Sequence, residues 1–187
     1  MYYPIKQALV LGIVASISLF GLVNADCQTI RVRREIRDLS LEEWNQCVTG
    51  MRSIMFDAKE KGSPSSYDKQ AQLHYSYRME THNSPTFLMW HRKFILELEE
   101  LVRKNDPNFV LPYWDWLADS QAPELSLILT DQYFGSNGQG ANMCIQDGNF
   151  KDFAPVYAET PNEKNTLTCL TRGYVSSDSK YPNRIVP

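Results

Sequence analysis

Histidine is scarce in this chain of 187 residues. There are three, His74, His82 and His91, and none outside one eighteen-residue window. Positive charge is not in excess either: 19 Lys and Arg stand against 22 Asp and Glu, which gives no basis for a nucleic-acid or anionic-membrane partner. No apolar run reaches the length of about 20 residues that a membrane-spanning helix needs. Cysteine is limited to Cys27, Cys47, Cys144 and Cys169. Their wide, unpatterned spacing argues against a zinc knuckle, and no Asn-x-Ser/Thr glycosylation acceptor occurs.

The first 25 residues contain one basic side chain, Lys6, then an apolar run from Ala8 to Val23 and a small-residue ending, Val23-Asn24-Ala25. That is the layout of a secretory signal peptide cleaved after Ala25. The mature chain, Asp26 to Pro187, would be secreted, free of the membrane and slightly acidic. In an oxidising compartment its four cysteines are expected to form two disulfides, and three pairings are open.

Ser40-Leu41-Glu42-Glu43 is a capping box opening a helix in which Leu41, Trp44, Val48, Met51 and Met55 recur at helical spacing. Lys59 to Ser66 is a loop by composition. A shorter helix follows over Ser66–Arg78, with Tyr67, Ala71 and His74 on one face. Ser84 as N-cap and Pro85 as first helical residue predict a further helix running to Lys104. Its stripe of Phe87, His91, Phe94, Ile95, Leu98, Leu101 and Val102 faces the core. An imidazole within such a stripe needs a partner for its ring nitrogens, either a hydrogen bond or a metal. On one continuous helix, His82 and His91 would lie about 13.5 Å apart along the axis, too far to share an ion. Pro85, behind Asn83 and Ser84, supplies the break that lets the chain fold back. Two crossing helices and the loop between them can then bring all three imidazoles to one point. Neutral imidazoles without carboxylate or thiolate suit copper or zinc.

The run His82-Asn-Ser-Pro-Thr-Phe87-Leu-Met-Trp90-His91-Arg92-Lys-Phe94-Ile-Leu-Glu97-Leu-Glu99, followed by Leu111-Pro112-Tyr113-Trp114-Asp115-Trp116, resembles the first copper-binding region of tyrosinases, catechol oxidases and molluscan haemocyanins. Tyr67-Asp68 and Ala71-x-Leu73-His74 resemble the stretch bearing that family's first copper histidine, and Val32 to Leu39 its lead-in. The likeness runs from about Arg31 to Phe134. It implies that His74, His82 and His91 ligate copper, one ion per chain, with Phe87 packed beside the imidazoles. No catalytic residue beyond the metal ligands is implied. Trp90, Phe94 and Trp114 would be core aromatics, and Arg92 and Asp115 would tie neighbouring segments together. No thiol lies within two residues of His74, so there is no basis for a Cys–His thioether beside the copper.

The resemblance also implies a phenolic substrate, a monophenol or o-diphenol oxidised to the o-quinone by two coppers, each held by three histidines. Nothing after His91 is a histidine, so the second trio has no counterpart. The expected fold is mainly α: the N-terminal half of a tyrosinase-like helical bundle with an irregular C-terminal tail. Residues 1–25 would be the signal peptide, 26–134 the partial copper-binding domain, and 135–187 a linker-like region of coil and short strands containing a flexible loop at Gly135–Gly140. Such a portion of a secreted oxidoreductase would bind copper and be inactive alone, and its uncovered helix face would offer a surface for self-association. The alternatives are a non-catalytic secreted protein that binds one metal or is structural, and an oxygen-carrying relative.

Overall fold

The computed structural model describes residues 30–156 and 169–173; the expected signal peptide lies outside them. Four α-helices carry the architecture: α1 (Leu41–Met55), α2 (Ser66–Ser76), the single turn α3 (Arg78–Thr81) and α4 (Phe87–Arg103). α1 packs against both α2 and α4, and α2 against α4. Among the described residues strand pairing is confined to isolated bridges: Glu35 with Tyr113, Gln139 with Cys144, and Cys144 with Thr171. The chain is therefore helical, as expected, and among the described residues beyond 135 the anticipated short strands are single bridges.

Helix α1 begins where the capping box placed it. Ser40 Oγ accepts from the Glu43 amide, and the Glu43 carboxylate accepts from the Ser40 amide. Trp44, Cys47, Val48, Ile54 and Met55 are buried, whereas Leu41, expected on the same stripe, is exposed. Gly50 faces inward. A Cβ there would lie 2.8 Å from Phe109 and 2.9 Å from Val102, so the missing side chain lets α1 approach α4 and the turn after it closely.

The core continues past residue 134. Tyr133, Phe150 and Phe153 join Trp44, Val102 and Phe109 in one buried cluster. Trp44 packs edge-on against Phe134, and Phe153 against both Phe56 and Tyr67. Through Tyr67 that cluster grips the start of α2. A second capping box, Ser65 with Asp68, fixes the same end, and the buried Asp68 carboxylate also accepts from the Val156 amide at 3.1 Å.

The Gly135–Gly140 loop is packed, not loose. Gly135 and Gly138 are buried, and the Arg172 guanidinium donates to the carbonyls of Phe134, Gly135 and Ser136. Cys144 and Cys169 form a disulfide, whereas Cys47 is a buried free thiol pushed up to about 12 by burial. Cys27 lies outside the described residues; among those described, one of the two expected bridges is seen. Along Val110 to Trp116 burial is partial: Leu111 and Trp114 pack on the core, but Tyr113 and Trp116 are exposed.

Candidate metal centre

The C-terminal turn of α2 presents His74. Tyr77, with φ −99° and ψ 9°, ends α2 and opens the one-turn α3, whose C-cap is His82. Extended backbone at His82 and a left-handed Asn83 (φ 56°) then reverse the chain; asparagine tolerates that conformation because its short polar side chain bonds locally. The break falls where Pro85 placed it, but α4 starts two residues later than expected, at Phe87 behind Thr86. Ser84 does not cap the helix. Its hydroxyl pairs with that of Thr86 at 2.8 Å, and its carbonyl accepts from the Phe87 amide.

The turn brings the three imidazoles together. Ring centroids of His74 and His82, His82 and His91, and His74 and His91 are 5.0, 5.0 and 5.3 Å apart, with interplanar angles of 72°, 72° and 79°. Nitrogens from all three rings lie within 4.8 Å of one another, and this is the one group of at least three potential metal-ligating side chains found among the described residues. An ion bonded to three imidazole nitrogens at about 2.0 Å would hold the ring centres roughly 5.2–5.5 Å apart. The observed triangle is within a few tenths of an ångström of that.

Hydrogen bonds fix which nitrogen faces inward. His82 Nδ1 lies 2.9 Å from the Arg78 carbonyl, and His91 Nδ1 lies 2.7 Å from the Phe87 carbonyl. A carbonyl can only accept, so both Nδ1 atoms carry the proton and both Nε2 atoms keep a lone pair. The Nε2 atoms of His74 and His91 are 3.1 Å apart. Burial, reinforced by the neighbouring His82 and His91, pushes the His74 pKa below its ordinary value, which favours the neutral, ligating form. The donor set contains no carboxylate or thiolate and fits copper.

Phe87 stands where it was expected, its ring 4.3 Å from that of His91 and 5.8 Å from that of His82. Trp90 and Phe94 do not belong to the buried core cluster. They stack on each other at 5.1 Å and lie against His74, which makes them neighbours of the site. Trp114 packs on the core as expected and donates to Asp119 at 2.6 Å. The Arg92 and Asp115 side chains are exposed. The tie between segments passes instead through Glu35, which accepts from the Asp115 amide, and through Asp119, which receives Arg37, Trp114 and Ser126.

Glu99 had no role assigned from sequence. It lies on α4 two turns beyond His91 and is 2% exposed. One carboxylate oxygen accepts from Arg33 Nε and the Leu111 amide, both at 3.0 Å; the other meets Arg33 Nη2 and Arg103 Nη2, both at 2.9 Å. Burial would raise this carboxyl, but the Arg33 and Leu111 hydrogen bonds with the Arg33 and Arg103 charges bring it below its ordinary value. The signal was in the sequence: a carboxylate on the helix face shared with Ile95 and Val102 must find donors. Which donors it finds is a long-range matter.

A family model described as the common central domain of tyrosinase matches residues 64–184. A tyrosinase of Streptomyces lincolnensis is 30% identical over 161 residues, covering 82% of this chain and 55% of that protein. A tyrosinase-like protein of Caenorhabditis elegans is 34% identical over 129 residues, covering 67% of this chain and 17% of its own length. Among solved structures, a polyphenol oxidase variant from Thermothelomyces thermophila superposes with a TM-score of 0.61 at 19% identity, over 90% of this chain and 53% of that one. The chain thus spans about half or less of the length of these relatives.

Proposed function

The chain belongs to the tyrosinase family, whose metal is copper, and on that premise we propose that His74, His82 and His91 hold one copper ion through their Nε2 atoms, as the first metal site of a phenol-oxidising centre. The observation that carries this reading is the convergence of three mutually steep imidazoles, two of them with Nδ1 turned outward to a backbone carbonyl. Such outer bonds lock the tautomer and raise the basicity of the ligating nitrogen. Phe87 covers one side of His91 and keeps water from it.

Copper held there supplies a one-electron redox couple. Taking an o-diphenol to the o-quinone removes two electrons and two protons, one electron more than a single copper held there would accept. The three histidines of this sequence are all committed to one site. The mature chain by itself therefore binds copper without turning over phenols, and the family reaction requires a second three-histidine unit.

The exposed face of α4 supports that division of labour. Leu88 and Met89 are 76% and 77% exposed, and Leu96 is 44% exposed, on one side of the helix that carries His91. We assign this face to the second copper-bearing unit; in a solution of the chain alone it drives self-association. Export through a signal peptide at residues 1–25 agrees with the Cys144–Cys169 disulfide, since such bonds persist in oxidising compartments. No described helix is long and apolar enough to cross a membrane. Residues 26–134 would then form the copper-bearing part and 135–187 the connection onward.

Copper titration of the purified mature chain tests the site. Uptake of one ion per chain is expected, abolished in His91→Ala. Copper content unchanged in that variant would rule the site out, and robust, copper-dependent oxidation of catechol by the chain alone would overturn the requirement for a second unit.

A further inference from the structure

The three imidazoles are not held alike. His82 and His91 each have Nδ1 anchored to the carbonyl four residues earlier. Among the described residues, His74 has no such anchor; its one hydrogen-bonding contact there is between its Nε2 and that of His91. Once both nitrogens present lone pairs to a cation, that contact cannot hold the ring. Something else must keep the His74 plane in place.

The candidate is the aromatic pair on the facing helix. Trp90 and Phe94 are one turn apart on α4 and stack nearly parallel, at 12° with centroids 5.1 Å apart. The His74 ring lies 5.8 Å from Trp90 and 5.3 Å from Phe94, tilted by 33° and 32° to them. It lies against the pair, in ring contact with both. Tyr77, at the end of the helix that carries His74, closes on Trp90 from 6.3 Å. Ring contacts of this kind add orientation to simple area burial. Neither Trp90 nor Phe94 is a member of the buried core cluster, so filling the interior does not account for the pair.

The geometry points to the Trp90–Phe94 stack as the positioning element for His74, a planar platform that aims Nε2 at the copper in place of the carbonyl anchor the other two ligands have. This rests on the copper reading above. Preorganised ligands bind more tightly because less side-chain freedom is lost on binding, and removing a group that orients a metal-bound histidine typically weakens metal affinity about 10- to 100-fold. A planar ring at position 90 should be sufficient, and apolar bulk should not.

The test uses the chain from Asp26 to Pro187 with Cu(II), reading the dissociation constant by competition with a chelator and the ligand field by electron paramagnetic resonance. Trp90→Leu keeps an apolar side chain and removes the ring. It is expected to weaken copper at least about tenfold and to change the resonance signal toward fewer nitrogen ligands. Trp90→Phe is expected to restore both, and Glu100→Ala, at an exposed site on the same helix, to leave both unchanged. Should Trp90→Leu fail to fold, Phe94→Leu carries the same expectation. Wild-type affinity and signal in the leucine variant, or equal loss in the leucine and phenylalanine variants, would overturn the inference alone. A wild-type chain that takes up no copper would overturn the copper reading and this inference with it.

Discussion

Replacing Glu99 by glutamine changes one atom and should unfold the protein about ten degrees earlier. In the native structure the two carboxylate oxygens receive four donors: Arg33 Nε and the Leu111 amide on one, Arg33 Nη2 and Arg103 Nη2 on the other. Glutamine can turn its oxygen toward the first pair. Its NH2 group then faces two guanidinium nitrogens, donor against donor, within hydrogen-bond distance. Two bonds involving charged groups are lost, at about 1.5–3 kcal/mol each, and breaking one side of a buried ion pair costs about 3–5 kcal/mol. Because the Arg33 side chain is 39% exposed and partly recovers water, the lower end, about 3 kcal/mol, is the better figure. In a chain of this size each kcal/mol moves Tm by about 2–4 °C, so a fall of roughly 6–12 °C is expected. Urea unfolding followed by far-ultraviolet circular dichroism measures the free energy directly. A loss under about 1 kcal/mol would show that the Arg33, Arg103 and Leu111 donors are satisfied by solvent and that Glu99 is not the tie between α4 and its neighbours.

Gly50→Ala trades a gain in helix propensity of about 1 kcal/mol against an overpacking cost of about 1–3 kcal/mol, because the new methyl meets buried Phe109 and Val102. A net destabilisation in chemical unfolding is expected, and a more stable variant would contradict the close approach of α1 to α4. Glu35, Glu99 and Asp119 all have folded pKa values below their ordinary ones: burial raises each, but hydrogen bonds and nearby arginine charges outweigh it. Depressed carboxyls contribute stability that is fully present above the unfolded pKa and is lost as pH falls through the folded one. Melting temperature of the metal-free chain should therefore fall in two stages on acidification, first through the ordinary imidazole range, where folding holds the His74 pKa down, and again below the ordinary carboxyl range; a rise on acidification would refute these ion pairs. Reduction of Cys144–Cys169, which closes a separation of 25 residues, should cost about 3 kcal/mol, read from unfolding with and without reductant. The Cys47 thiol, buried and pushed up to about 12, should resist a thiol reagent at pH 8 until the chain unfolds, and prompt labelling of the folded protein would contradict its burial.

The convergence of the three imidazoles was legible because its determinants are local. Three histidines within one window, with a proline between the last two, leave few ways to share an ion, and the resulting turn follows. Capping at Ser40 was legible for the same reason. The start of α4 was not: Ser84 and Pro85 make a plausible helix opening, but the reversal at Asn83 uses Ser84 in a turn with Thr86. Trp90 was given to the core by the resemblance, and a shared motif does not say what lies opposite a side chain. Its neighbour is His74 on another helix. The glycine loop at 135–140 was taken as loose on composition alone, and the guanidinium that fills it comes from Arg172, more than thirty residues away.

All three imidazoles come from a stretch whose ends are separated by 17 residues. Bringing such ends together costs roughly 2.5 kcal/mol of chain entropy, against about 3.7 kcal/mol for the 66-residue closure between Arg33 and Glu99. The histidine hairpin is thus among the cheapest tertiary contacts the polypeptide makes. In refolding it can close ahead of the long-range ties, so that the cation, when supplied early, acts as a nucleus on which α2 and α4 dock instead of a late addition to a finished fold.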